Sequence, residues 1–296
     1  MVGNSFDLGI VYPMIYPGQS ERETVENIDI LLKDDYFKVI EIGRYSQRIK
    51  SEIKEKIRSS KIDVIYSGHG ILLGNNLNIN TLDEEVRKKS VEVIKAEIDE
   101  ASDYKARLFT LLSGTYRDGD KVQHMAALKN SLHEICTYAY EEYEMKVALE
   151  AFDYNIDKKS FIGPTIRAKE LMDEMDERNL GLLVDLSHIP MLGEDIDEAI
   201  EPIKDYIYHL HIGSTVLDES SQLYGDSHPR FGHSEGINDT KEVQRFLEKV
   251  ATTDYMKGMS RPTLSFEVKP TEGECSEVVI ANSKRTLRRA WLGTHK

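Results

Sequence analysis

Four ionisable residues stand near the ends of four successive apolar runs. Glu150 closes Lys146-Val147-Ala148-Leu149-Glu150, and Asp185 closes Leu182-Leu183-Val184-Asp185. His211 lies in His209-Leu210-His211-Ile212-Gly213, and Glu267 in Leu264-Ser265-Phe266-Glu267-Val268. Side chains alternate in direction along a strand. If Val147, Leu149, Val184, Ile212 and Phe266 take one face, the polar four take the other. Three carboxylates and an imidazole pointed at one buried place repel each other unless they are protonated or bridged by a cation. A divalent metal resolves the conflict. The oxygen-rich donor set fits Mn²⁺ best, and also accommodates Mg²⁺, Co²⁺ or Zn²⁺. Taken singly, each residue has a plain alternative as a solvated rim carboxylate or a helix cap. The four in register on consecutive strands do not.

Other polar residues gather at the same strand ends. His188 follows Asp185 by three positions, so it either contacts a substrate or packs on Pro190 as a loop histidine. His69 follows the third apolar run in Ser67-Gly68-His69-Gly70. The segment Tyr224-Gly225-Asp226-Ser227-His228-Pro229-Arg230-Phe231-Gly232 offers His228 and Arg230 for substrate oxygens, Arg230 as a planar fork. Its plain reading is a loop closed by an Asp–Arg pair. Lys269 shares the phase of Glu267, so it meets substrate or offsets the carboxylates. His124 and His133 fall on a helical stretch and read as surface or packing residues. Trp291 reads as core or oligomer interface, and the basic run Lys284–Arg289 as a solvated helix face.

These residues need a frame. Eight apolar runs punctuate the chain: Phe6–Val11, Val39–Ile42, Asp63–Tyr66, Leu108–Leu112, Val147–Phe152, Gly181–Leu186, Tyr206–Ile212 and Thr263–Val268. Amphipathic stretches separate them, two of which open on Ser20-x-x-Glu23 and Thr81-x-x-Glu84, the pattern of a helix start. Such alternation predicts an α/β fold with a parallel sheet. Its repeat of roughly 37 residues exceeds the unit of a minimal (β/α)₈ TIM barrel. The surplus falls after Ser67 and after Ile212, in loops that a barrel places on its C-terminal face, where active sites sit. No Gly-x-Gly-x-x-Gly follows the first run, which disfavours a dinucleotide-binding open sheet. Residues 1–296 read as one barrel domain.

The 296 residues carry Lys+Arg 38 against Asp+Glu 52, a formal net charge of −14. That balance disfavours nucleic acid as a partner. No apolar run approaches the ~20 residues of a membrane span, and the residues from Met1 to Asp7 lack the pattern of a signal peptide. Cys136 and Cys275 show no metal or disulfide spacing, so a reducing cytoplasm is expected.

The order Glu150, Asp185, His211, Glu267 at the ends of strands five to eight resembles the xylose isomerase-like TIM-barrel superfamily. That group includes sugar and sugar-phosphate isomerases, ketose epimerases and the endonuclease IV type. The resemblance implies that these four residues hold one divalent ion. It also implies that Glu150 and Glu267 act as acid/base groups and that His188 touches a substrate hydroxyl. The implied reaction is proton abstraction beside a sugar carbonyl through a metal-stabilised enolate. A narrower resemblance rests on Gly163-Pro164, Asp185 to Pro190, His211 to Gly213 and Tyr224 to Gly232. It points to the α subunits of bacterial C-glycoside deglycosidases, which eliminate the aglycone from a 3-oxo-C-glycoside and need a small β subunit. A homo-oligomer is the other assembly considered. The endonuclease IV type implies three zinc ions, toward which this chain offers His69, Glu150, Asp185, His188, His211, Asp226, His228 and Glu267. It lacks that type's further histidine after strand four, where Leu112-Ser113-Gly114-Thr115-Tyr116 stands.

Overall fold

The computed structural model describes residues 2–75, 77–116, 119–253 and 262–294. Strand β1 is Asp7–Val11, β2 Val39–Ile42, β3 Asp63–Ser67 and β4 Leu108–Leu112; β5 is Lys146–Glu150, β6 Leu180–Asp185, β7 Ile207–Ile212 and β8 Thr263–Phe266. Each pairs in parallel with the next, and β8 pairs with β1, so the sheet closes into the expected barrel.

Helices fill the intervals. Helix α1 (Tyr12–Ile15) and α2 (Glu21–Leu32) lead to β2, and α3 (Gln47–Ser59) leads to β3. Helices α4 (His69–Gly74) and α5 (Glu84–Asp103) lead to β4, and α6 (Lys121–Tyr143) to β5. Then come α7 (Thr165–Glu174), α8 (His188–Met191), α9 (Ile196–Ile200), α10 (Thr240–Val250) and α11 (Ser276–Gly293). Helix α2 opens on the anticipated capping box of Ser20 with Glu23. Helix α5 does not start as expected. Asp83 caps it by accepting from the N–H groups of Glu85 and Val86, while Thr81 Oγ1 accepts from Asp83 N–H. A carboxylate two residues nearer the helix outcompetes a hydroxyl for those orphan donors. Among the described residues, no helix is long and apolar enough to cross a membrane.

Alternation along the strands divides the core. Leu149, Val184, Leu210, Ile212 and Phe266 pack outward in the large cluster shared with the helices. A separate inner cluster of Val39, Ile65, Leu108, Ala148 and Leu183 fills the barrel axis. Strand β7 shifts register by one residue opposite Leu182 and Leu183. That irregularity lets Tyr208 pack on the inner cluster, while His209 and His211 pair with the inward Leu183 and Asp185. A bulge of this kind re-aims side chains next to functional sites. Gly181 makes room for it, since a Cβ there would lie 2.2 Å from the Tyr208 ring.

Candidate metal centre

Strands β5, β6 and β7 end on or beside their inward polar residue, and β8 ends one residue short of Glu267. The structure gathers ligand atoms of Glu150, Asp185, His211 and Glu267 within 4.8 Å of one another. Glu150, Asp185 and His211 are buried, and the Glu267 side chain is 15% exposed. Asp185 aligns with His211, and Glu150 with Leu183, so adjacent strands bring the groups to one level.

Electrostatics fit a cation at that level. Burial pushes the Asp185 carboxyl above its ordinary value; Glu267 adds repulsion, and His188, His228 and His211 only partly offset it. Glu150 is drawn below the usual carboxylate range: burial opposes this, but His69 and His188 outweigh it. Glu150 Oε1 is buried and makes no well-formed hydrogen bond; His188 Nδ1 lies 3.2 Å from it, and a carboxylate oxygen so placed has room for a further electropositive partner. Three carboxylates and an imidazole gathered at one buried level suit a divalent ion.

The neighbouring side chains are fixed in turn. His69 Nε2 lies 2.7 Å from Glu150 Oε2, and its Nδ1 lies 2.8 Å from Ser67 Oγ. Rather than a plain loop, α4 carries this histidine. His188, at the start of α8, places Nδ1 3.2 Å from Glu150 Oε1 and Nε2 3.1 Å from Asp226 Oδ1. It packs on Phe152 with ring centroids 4.0 Å apart, not as an isolated loop histidine. His228 adopts the left-handed backbone region at φ +50°. Its Nδ1–H donates to the Glu267 carbonyl at 3.0 Å, and its Nε2 lies 2.7 Å from Asp226 Oδ1. Burial pulls the His228 value down, but Asp226 and Glu267 push it up to about 9. Gly213 permits this packing, for a Cβ there would sit 2.5 Å from the Glu267 carbonyl oxygen and 2.7 Å from His228 Nδ1.

Two expected substrate residues stand apart from this cluster. Arg230 directs Nε to Glu274 Oε1 at 2.5 Å and donates from Nη1 to the Phe231 carbonyl. The loop is therefore closed by Arg230 and Glu274, not by Arg230 and Asp226, whose carboxylate the histidines occupy. Lys269 is exposed, and its backbone N–H donates to the His228 carbonyl at 2.7 Å. Alternation fails as a guide there because β8 ends at Phe266, before the residue pair being compared.

Two polar residues, Glu41 and Lys158, carry no role in the sequence reading, and a third, Asp226, takes a different one. Glu41, on β2, is 1% exposed and touches both His209 and His211. It interrupts Val39-Ile40-Glu41-Ile42 as Glu150 interrupts its own strand, and that was the available signal. Asp226, which the sequence offers both as a loop partner of Arg230 and as a ligand of a multi-zinc site, instead joins His188 to His228. Lys158 Nζ lies 3.4 Å from Asp226 Oδ2. It is positioned by a turn in which the buried Asp153 accepts from the N–H groups of Ile156, Asp157 and Lys158. A second group of possible ligands, Asp185, His188 and His228, adjoins the first.

Residues 29–272 match the family model described as the xylose isomerase-like TIM barrel. The chain belongs to that family. No curated protein sequence matches it. Solved structures of similar fold include a D-tagatose 3-epimerase-like protein, 19% identical, with a TM-score of 0.72 over 96% of this chain and 98% of that one. Another is 3-keto-D-glucoside 4-epimerase from E. coli, 14% identical, with a TM-score of 0.70 over 95% and 98% of the two chains. A protein named IOLI, solved with a bound zinc atom, is 17% identical and has a TM-score of 0.74 over 96% and 98%.

Proposed function

We propose that this member of the family is a divalent-metal-dependent sugar isomerase or epimerase that removes a proton beside a sugar carbonyl. The observation that carries the proposal is the convergence of ligand atoms of Glu150, Asp185, His211 and Glu267 on one buried point. The four residues would hold one ion, with Mn²⁺ as the expected metal. Such an ion supplies Lewis-acid polarisation of the carbonyl.

The chain's own groups do the rest. Glu150 and Glu267 come from β5 and β8, on either side of Asp185 and His211. A carbon held between them loses its proton to one carboxylate, leaving the electron pair in an enolate, and regains a proton from the other. Return from the opposite face inverts the centre, and return to the neighbouring carbon isomerises the sugar. Glu150 is ionised at neutral pH, His69 and His188 outweighing burial, so its carboxylate is free of a proton and can accept one. His188 donates to a substrate hydroxyl, and His69 and His228 complete the contacts at the metal level; Arg230 and Lys269, which stand apart from the cluster, would reach only the outer part of a substrate. Residues 1–296 act as one catalytic barrel in the cytoplasm.

A second reading shares the first step. The fold likeness to an epimerase of a 3-keto-glucoside supports an oxidised glycoside as substrate. The same enolate then expels the aglycone as the C–C bond breaks, with a small partner subunit. The departing carbon keeps that bond's electron pair and takes up a proton, while the sugar gains a C=C bond. The test compares ²H uptake from solvent into free ketoses with aglycone release from a 3-oxo-C-glycoside, after metal analysis of the purified protein. Uptake without release supports epimerisation, and release supports the lyase. Neither event in metal-loaded protein would overturn both.

A further inference from the structure

Below the candidate metal centre, toward the N-terminal end of the barrel, lies a second polar cluster that proton transfer does not use. Glu41 belongs to β2, which pairs only with β1 and β3, so its side chain crosses the axis to reach β7. Both its oxygens lie 3.0 Å from His211 Nε2, and Oε1 lies 2.7 Å from His209 Nε2. The two imidazoles meet edge to face at 87°. His209 Nδ1 lies 2.6 Å from Thr263 Oγ1 on β8. Glu41 and His209 are at most 1% exposed.

Burying a carboxylate between two imidazoles gains little stability over apolar side chains of the same volume. The arrangement does do something that apolar packing cannot. An imidazole ligates a metal through an unprotonated nitrogen, and the partner of its other nitrogen fixes which one that is. His211 turns Nδ1 toward Glu267, at 2.6 Å, and Nε2 toward Glu41.

We propose that Glu41, held in place by His209 and Thr263, is the positioning residue that fixes the ring orientation and tautomer of His211 for metal binding. Glu41 accepts Nε2–H and leaves Nδ1 to face the ion. His209 donates to the same carboxylate and stops it from rotating away, and the Thr263 hydroxyl anchors His209 from below. The proposal rests on the metal-centre reading above.

The test titrates Zn²⁺ into metal-stripped protein by calorimetry and reads the imidazole ¹⁵N shifts of the zinc-loaded form. Glu41→Gln keeps the shape and removes the charge. Its expected effect is a loss of zinc affinity of about 10–100-fold, with the single Nε2–H tautomer of His211 replaced by a mixture. Glu41→Asp should restore part of both. Thr263→Val perturbs only the far end of the chain of contacts and should weaken zinc by a smaller factor. It serves if Glu41→Gln does not fold. Wild-type affinity and an unchanged tautomer in whichever of these variants fold would overturn the role of Glu41 while leaving the metal centre intact. Failure of the wild-type protein to bind Zn²⁺ would overturn both.

Discussion

His69 Nε2 and Glu150 Oε2 lie 2.7 Å apart, joining α4 to the end of β5 across the intervening β4. His188 Nδ1 lies 3.2 Å from the other oxygen, Oε1, so two histidines flank a carboxylate that also converges with the other three candidate ligands. Glu150→Gln keeps the volume and removes the charge. It should lower metal affinity by more than ~100-fold, beyond the loss expected for an outer partner, and abolish solvent ²H exchange. Metal analysis after gel filtration checks the first outcome. Full metal content in this variant would remove Glu150 from the ligand set.

Gly213 is a steric requirement of the site rather than a turn residue. Gly213→Ala places a methyl against the Glu267 carbonyl and His228 Nδ1. The overpacking should cost about 1–3 kcal/mol and loosen both groups. A thermal melt should show a fall of several degrees, together with weaker metal binding. Gly70→Ala is the control, because a methyl at this position on α4 would meet nothing within 4 Å. It should leave the melt unchanged or slightly raised.

These residues show how far the sequence could be read. The barrel was legible because each strand is a short apolar run closed by turn or cap residues, and its burial requires little more than that pattern. Glu150, Asp185 and His211 were legible because a charge amid Val and Leu in a strand has few explanations. Glu41 carries the same mark on β2, but nothing in sequence tells that a residue 170 positions before His211 meets it across the axis. The inward turn of His209 depends on a one-residue shift opposite Leu182 and Leu183, which alternation alone does not reveal. Lys269 is the opposite case, since β8 ends at Phe266 and alternation does not extend to it.

The buried histidines give the metal-free protein a definite pH dependence. Burial pulls His228 down, yet Asp226 and Glu267 push it up to about 9. A value raised above the ~6.5 of an unfolded histidine contributes stability that is fully present below pH ~6.5 and is lost as pH rises through about 9. His188 and His211 are raised as well: burial opposes this, but Asp185 and Asp226 outweigh it for His188, and Glu41 and Glu267 for His211. Chelated protein should therefore melt several degrees lower at pH 9.5 than at pH 6.5. A bound cation takes over the role of those protons, so metal-loaded protein should lose less over the same interval. Equal melting of the chelated form at both pH values would contradict the histidine environments described.

Asp226 separates one ion from two. Its Oδ1 lies 2.7 Å from His228 Nε2 and 3.1 Å from His188 Nε2, and Lys158 balances its other oxygen. If Asp226 only orients the histidines, Asp226→Asn should leave metal content at one ion per chain. It should also lower kcat by about 10–100-fold, the range for losing an outer-sphere partner. If Asp226 instead ligates a second ion with His188 and His228, wild-type protein should contain more than one ion per chain. The variant should then lose the excess while retaining the ion at Glu150, Asp185, His211 and Glu267. Metal stoichiometry on the two proteins decides between these outcomes before any substrate is known. One ion in both forms favours the sugar-carbonyl chemistry proposed here over a hydrolase with several metals.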